Sequence, residues 1–303
     1  MNDISPAKIL KDVANSIPSE FHELIVVVGS LAAGFHYFRN DEEREVRTKD
    51  IDCVVSPRVK AAAVGKIITE HLLEDGWEPR PHDGQTFPAP PQTPDAELPG
   101  IRLYPPGHRG WFLEFLTVPD PTNENNRQWM RVKLKEGHAG LASFQYLSLT
   151  DFEPLPTGYG IYYAQPATMA LANLLSHQKI GPETMSTGIG GREIKRSNKD
   201  LGRVLAMARL GDEELDSWPK IWFDSLKRRF PKQFDSLAPI VGDGLRALLA
   251  SENDLEQAVH TCNHGLLVDD QVKVSELNAT GKRFLQDVVD VFEQLVTSST
   301  RTD

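Results

Sequence analysis

The run Ile25-Val26-Val27-Val28, broken at once by Gly29-Ser30, constrains this chain more than any other stretch. Four β-branched residues in an unbroken row describe a strand buried on both faces. The residues that follow, Leu31 to Phe38, read as the start of a helix, so Gly29 and Ser30 occupy a tight strand-to-helix turn. The first amides of a helix have no partners of their own and carry the positive end of its dipole. A turn of this kind therefore suits an anion such as a phosphate.

A second strand, Asp50 to Val55, brings the first acids. Side chains two apart on a strand share a face, so Asp50 and Asp52 point the same way. Their mutual repulsion is relieved by a cation between them. Hard oxygen ligands beside a phosphate-binding turn suit Mg²⁺, which takes one or two carboxylates plus substrate phosphates; Mn²⁺ is the alternative. A third acid, Glu114, is the only charge in the strand-like run Trp111 to Val118. A carboxylate in so apolar a strand needs a partner or an ion, and the expectation is that it completes the metal site.

Gly29-Ser30, then Asp50-x-Asp52, then a lone acid in an apolar strand resembles the signature of the nucleotidyltransferase superfamily related to DNA polymerase β. Within it the chain looks most like the branch of bacterial abortive-infection toxins. Gln165-Pro166-Ala167 and Lys199-Asp200-Leu201 resemble the two ends of that branch's helical segment. The likeness covers roughly residues 20–60, 110–118 and 163–208. Two departures stand out: the charged segment Asn40 to Arg47 widens the gap between Ser30 and Asp50, and Asn173 and Arg203 stand where the branch tends to have a lysine and an acid. The resemblance implies Asp50, Asp52 and Glu114 as catalytic and metal-binding residues, Gly29, Ser30 and Lys199 as nucleotide-binding residues, and an NTP as co-substrate. It also implies a toxin–antitoxin setting with a small partner protein.

The expected architecture is an α/β (α+β) catalytic domain over residues 1–155, a small mixed sheet with flanking helices, followed by a helical domain over 156–303. Ser5 and Pro6 mark the start of a first helix, and Pro57 to Asp75 reads as another, stopped at Gly76. Nine prolines between Pro79 and Pro106 leave little room for regular structure. That segment is either a lid, with Arg80, His82 or Arg102 on the substrate, or a surface excursion. Ile101 to Tyr104 is expected to pair with the Glu114 strand as a hairpin. Later helices are read over 164–178, 197–210, 218–230, 239–250, 254–263 and 275–299.

A formal charge of −10 argues against broad nucleic-acid binding, which wants a basic footprint. It tilts the acceptor towards a protein or a cationic small molecule, with a tRNA end the further candidate. Two distant cysteines, Cys53 and Cys262, imply no disulfide framework. With no leader pattern and no apolar run of membrane-spanning length, a cytoplasmic setting is expected.

The basic group Arg192, Lys195, Arg196, Lys199 and Arg203 either grips a triphosphate or forms a solvated helix face. His260-Thr261-Cys262-Asn263-His264 lacks the second cluster that a tetrahedral zinc site needs. There is no P-loop and no nucleophile elbow. The chemistry expected is metal-dependent transfer of NMP from an NTP to a hydroxyl, with Glu114 completing the metal site or taking the proton from that hydroxyl. The alternative is a non-catalytic nucleotide-binding or protein-interaction module on the same fold.

Overall fold

In the computed structural model, which describes residues 2–41, 43–82, 84–123 and 125–299, Ile25–Val28 is a fully buried strand in a mixed sheet. The elements in order are β1 (Asn2–Ile4), α1 (Pro6–Ser16), β2 (Ile25–Val28), α2 (Gly29–Phe38), β3 (Val46–Thr48), β4 (Asp50–Val55), α3 (Arg58–Glu74), β5 (Glu78–Pro79), β6 (Arg102–Tyr104), β7 (Phe112–Thr117), β8 (Arg127–Leu134), β9 (Gly137–Phe144), β10 (Leu155–Pro156) and β11 (Tyr162–Tyr163). Helices follow: α4 (Pro166–Ser176), α5 (Arg196–Leu210), α6 (Trp218–Arg229), α7 (Phe234–Leu237), α8 (Asp243–Leu249), α9 (Glu252–Asn263), α10 (Val274–Phe284) and α11 (Asp290–Ser299). This is the mixed sheet with flanking helices, then a helical run, that the sequence describes.

The chain divides into two compact units, Met1–Phe35 with Thr48–Gln165, and His36–Arg47 with Pro166–Asp303. In the first, the sheet order is β10-β11-β2-β4-β7-β6-β5. The strand β2 runs antiparallel to β4 and parallel to β11, and β4 runs parallel to β7. Beyond β6, the far end of β7 meets β9, which pairs along its whole length with β8. The β11 strand keeps residues up to Gln165 in the first unit, ten residues beyond the expected boundary at 155.

Local chemistry explains most of these elements. Pro6 opens α1, but Ser5 makes no side-chain capping bond; its carbonyl accepts from the Ile9 amide instead. Gly76, at φ +85°, lets the chain leave α3 in a left-handed turn that other residues adopt at a cost. The hairpin β8–β9 escaped the sequence reading. Its second strand carries small residues because Trp129 lies across it: a Cβ at Gly140 would meet the Trp129 ring at 2.6 Å.

The Pro-rich stretch is fastened rather than free. Ala89 exchanges both backbone bonds with His138 at 2.8 Å, and Arg131 donates to Asp95 and to the Pro91 carbonyl.

The second unit is built on helix pairs. The tight α5–α9 contact depends on Gly202, whose missing side chain lets the backbone at Ala258 approach. Trp218, Trp222, Phe284 and Phe292 form its aromatic centre in edge-to-face pairs. The long final helix is continuous in outline but relaxes into a π turn at Leu285–Val289. The single helix expected over 239–250 is broken instead, with α8 beginning at Asp243. The segment His36–Arg47 is held within this unit: Arg44 pairs with Asp270 at 2.8 Å and the Arg47 amide donates to the Gly265 carbonyl. Glu42 lies outside the described residues.

Candidate functional site

The site grows from one line of register across the sheet. Val28 on β2 stands opposite Asp52 on β4, Asp52 opposite Glu114 on β7, and Glu114 opposite Arg102 on β6. The Arg80 amide then donates to the Arg102 carbonyl at 2.8 Å, extending the line to the next strand. Side chains in register on neighbouring strands share a face. Asp52, Glu114, Arg102 and Arg80 therefore form a row running from acid to base, with Asp50 and its register partner Phe112 on the same face.

At the acidic end the turn closes on the carboxylate. Gly29 has φ +78°, and a Cβ there would lie 3.2 Å from Asp52 Oδ2. Glycine is what lets β2 end against Asp52 and α2 begin at once. Ser30 follows, half-buried in the first turn of α2. Asp50 Oδ1 accepts a 2.9 Å bond from the Thr48 hydroxyl, and both aspartates keep partial solvent access. Beneath Asp52, Cys53 is fully buried, and burial with the nearby carboxylate pushes its thiol far above the usual range.

Glu114 is held by a cation. Its Oε1 accepts from Arg102 Nη2 at 2.8 Å, and the two side chains are only 14% and 13% exposed. The partner that an acid in this apolar strand requires is a guanidinium. Among the described residues, no group of three or more His, Cys, Asp or Glu side chains is gathered to hold a metal ion. Two hard carboxylates on one face, beside a helix start, still match what Mg²⁺ takes from a protein when substrate oxygens complete its shell. The donor set fits a divalent ion on Asp50 and Asp52.

No family model and no curated protein matches the sequence. Among solved structures, the chain is similar to an antigenic nucleotidyltransferase-like protein from Paracoccidioides brasiliensis. The identity is 13%, the TM-score 0.33, and the likeness covers 78% of this chain and 94% of that one. Likeness at that level carries no weight for function. The chemistry of the β4–β7 face does.

The remaining candidates lie in the second unit. Lys199, on α5, stands 3.7 Å from Asp200, and Arg203 stands 4.0 Å from the same carboxylate. His177 Nε2 donates to Asp200 Oδ2 at 2.9 Å. Burial alone would raise the Asp200 carboxyl, but Lys199, the His177 bond and Arg203 together hold it well below the usual carboxylate range. Lys195 is likewise engaged, with Asp254 at 2.8 Å. Three of the five basic residues thus serve ion pairs inside their own unit.

The His260–His264 stretch is built for packing. Both imidazoles close on the Gly188–Gly191 loop, where His260 bonds to the Ile189 carbonyl at 2.7 Å. Cys262 points instead towards the Gly202 carbonyl, its thiol pushed up to about 12 by burial.

Sequence reasoning missed Arg102 as Glu114's partner. The signal was present: with Ile101–Tyr104 paired to the Glu114 strand as expected, a cation two residues from the strand's end falls opposite the acid.

No described helix is long and apolar enough to cross a membrane.

Proposed function

We propose that this chain is a metal-dependent nucleotidyltransferase that transfers NMP from an NTP to an acceptor hydroxyl, with pyrophosphate as the leaving group. One observation carries the reading: the strand-to-helix turn at Gly29 is packed directly against the Asp52 carboxylate, with Asp50 on the same face. A phosphate-binding turn and a pair of hard acids within one contact distance is what phosphoryl-group chemistry needs. Asp50 and Asp52 would hold Mg²⁺ or Mn²⁺, which supplies charge neutralisation to the phosphates when bound. The Gly29-Ser30 amides and the Ser30 hydroxyl hold the phosphate tail. Glu114, next to Asp52 in register, takes the proton from the acceptor hydroxyl.

A second reading is a nucleotide-binding module that does not turn over, acting through a protein partner. The Glu114–Arg102 pair favours it, because it engages the acid that turnover requires. A toxin-like role with a small antitoxin partner is compatible with either reading.

The test is incubation of the full chain with NTPs labelled at the α-phosphate, in Mg²⁺, with a cell extract as acceptor pool. The expected result is label in an acceptor fraction, lost in Asp50→Asn while circular dichroism stays unchanged. Equal labelling by wild type and Asp50→Asn contradicts the assignment.

A further inference from the structure

The basic end of the row is a built cluster. Arg102 spends Nη2 on Glu114 and Nη1 on His82, while its Nε–H is buried without a hydrogen-bond partner among the described residues. A buried donor left unmade costs about 1–3 kcal/mol and calls for an explanation. Nε and Nη2 form the edge of a guanidinium that carboxylates and phosphates take with two parallel bonds. Glu114 uses only one of the two.

Arg80 stands beside it, its guanidinium 4.0 Å above the Phe112 ring and its Nε donating to the Tyr104 hydroxyl at 2.7 Å. That stacking fixes the plane of the group, and no described acid pairs with it. His82 is held below its ordinary range by burial and by Arg102, Arg80 and Arg127, with Glu114 the one opposing charge. It therefore adds an acceptor rather than another cation near neutral pH. At Gly100 the chain has no side chain over this edge: a Cβ there would sit 3.9 Å from Arg102 Nε and 4.0 Å from Glu114 Oε1.

We propose that Arg102 and Arg80 form an anion subsite that receives a phosphate group of the acceptor. The inference rests on the nucleotidyltransferase reading for the word acceptor, but not for the binding of the anion. Neighbouring strands lie about 4.8 Å apart. Arg102, two strands from Asp52, is thus about 10 Å from the acidic end on the side opposite the Gly29-Ser30 turn. A hydroxyl at the acids and a phosphate about one sugar length away span that distance. An anion that takes the Nε–Nη2 edge displaces Glu114 from Arg102 and turns it towards Asp52, so acceptor binding prepares the base. The chain's overall charge of −10 pointed away from such an acceptor; at the basic end of the row, Arg80 and Arg102 outnumber the one acid beside them, Glu114.

The test follows the arginine Nε–Hε resonances of the ¹⁵N-labelled full chain, without metal or nucleotide, during titration with glycerol 3-phosphate and, separately, a short single-stranded RNA. Arg102→Lys and Arg80→Lys identify the two resonances. The expected result is saturable movement of both, weakened tenfold or more in either variant and unaffected by Asp50→Asn. In Glu114→Gln, binding tightens several-fold because the competing carboxylate is gone. A response to RNA that is tighter and falls steeply with salt assigns the phosphate to a polynucleotide; a response to glycerol 3-phosphate alone assigns a small phosphorylated acceptor. Resonances that stay still with both probes, or weaker binding in Glu114→Gln, overturn the subsite. Failure of NTP labelling with intact phosphate binding would overturn the transferase reading and leave the subsite standing.

Discussion

Glu114 and Arg102 face each other on antiparallel strands and close a 2.8 Å ion pair in the middle of a row that begins at Asp52. Both side chains are mostly withdrawn from water, so each depends on the other. Arg102→Ala leaves a half-desolvated carboxylate, with an expected loss of about 2 kcal/mol, toward the lower end for buried pairs because some water contact remains. Urea unfolding of Arg102→Ala, Glu114→Gln and the double variant measures the coupling. A double variant no more stable than the sum of the singles would show that the pair contributes nothing.

Gly29 joins β2 to α2 directly against the Asp52 carboxylate. Gly29→Ala forces an L residue into φ +78° and brings a methyl group to 3.2 Å from Asp52 Oδ2. The backbone term alone costs about 1–2 kcal/mol. Thermal unfolding is expected to shift down accordingly, with nucleotide affinity falling together with it. Alanine at this position with unchanged melting temperature would mean the turn has another conformation.

Stability in acid should follow Asp200. Its folded-state value is depressed, so its contribution is full above the unfolded carboxylate value near 4 and is lost as pH falls towards the lower folded value. Wild type is expected to lose urea resistance progressively as pH falls below about 4, the unfolded carboxylate value. Asp200→Asn, less stable at pH 7, should show a flatter decline over that window. Parallel pH curves for the two proteins would remove Asp200 from the account.

In the helical unit, Trp222 is fully buried and its indole N–H donates to the Ala167 carbonyl at 2.7 Å, tying α6 to α4. Trp222→Phe leaves that carbonyl without its donor and opens a small cavity, for a loss of about 2 kcal/mol by chemical denaturation. A loss below about 0.5 kcal/mol would show that the bond is replaced by water.

The legible parts of the sequence were those where one residue type decides the backbone. The unbroken valines of β2, the glycine after them and the alternating Asp50-Ile51-Asp52 left little choice of conformation. Elements set by distant partners were harder. β9 reads as weak because Gly140 serves Trp129 on another strand, and β11 is two residues whose partner, β2, lies more than a hundred positions away. The acids at Asp50 and Asp52 were readable from alternation alone. Glu114's partner was legible only through pairing: a lone charge in an apolar strand announces a need, and Arg102 meets it once Ile101–Tyr104 is set beside that strand. Charge totals are as coarse: −10 over the whole chain says nothing of Arg80 and Arg102 on one face.

Whether Gly29-Ser30 with Asp50 and Asp52 binds a nucleotide through a divalent ion is read from calorimetric titration of the full chain with each NTP in Mg²⁺. The same titration is run with excess EDTA and on the Asp50→Asn, Asp52→Asn double variant. Saturable binding of at least one NTP that disappears in EDTA and in the variant is expected. Binding that survives both, or no binding of any NTP to the wild type, would contradict it.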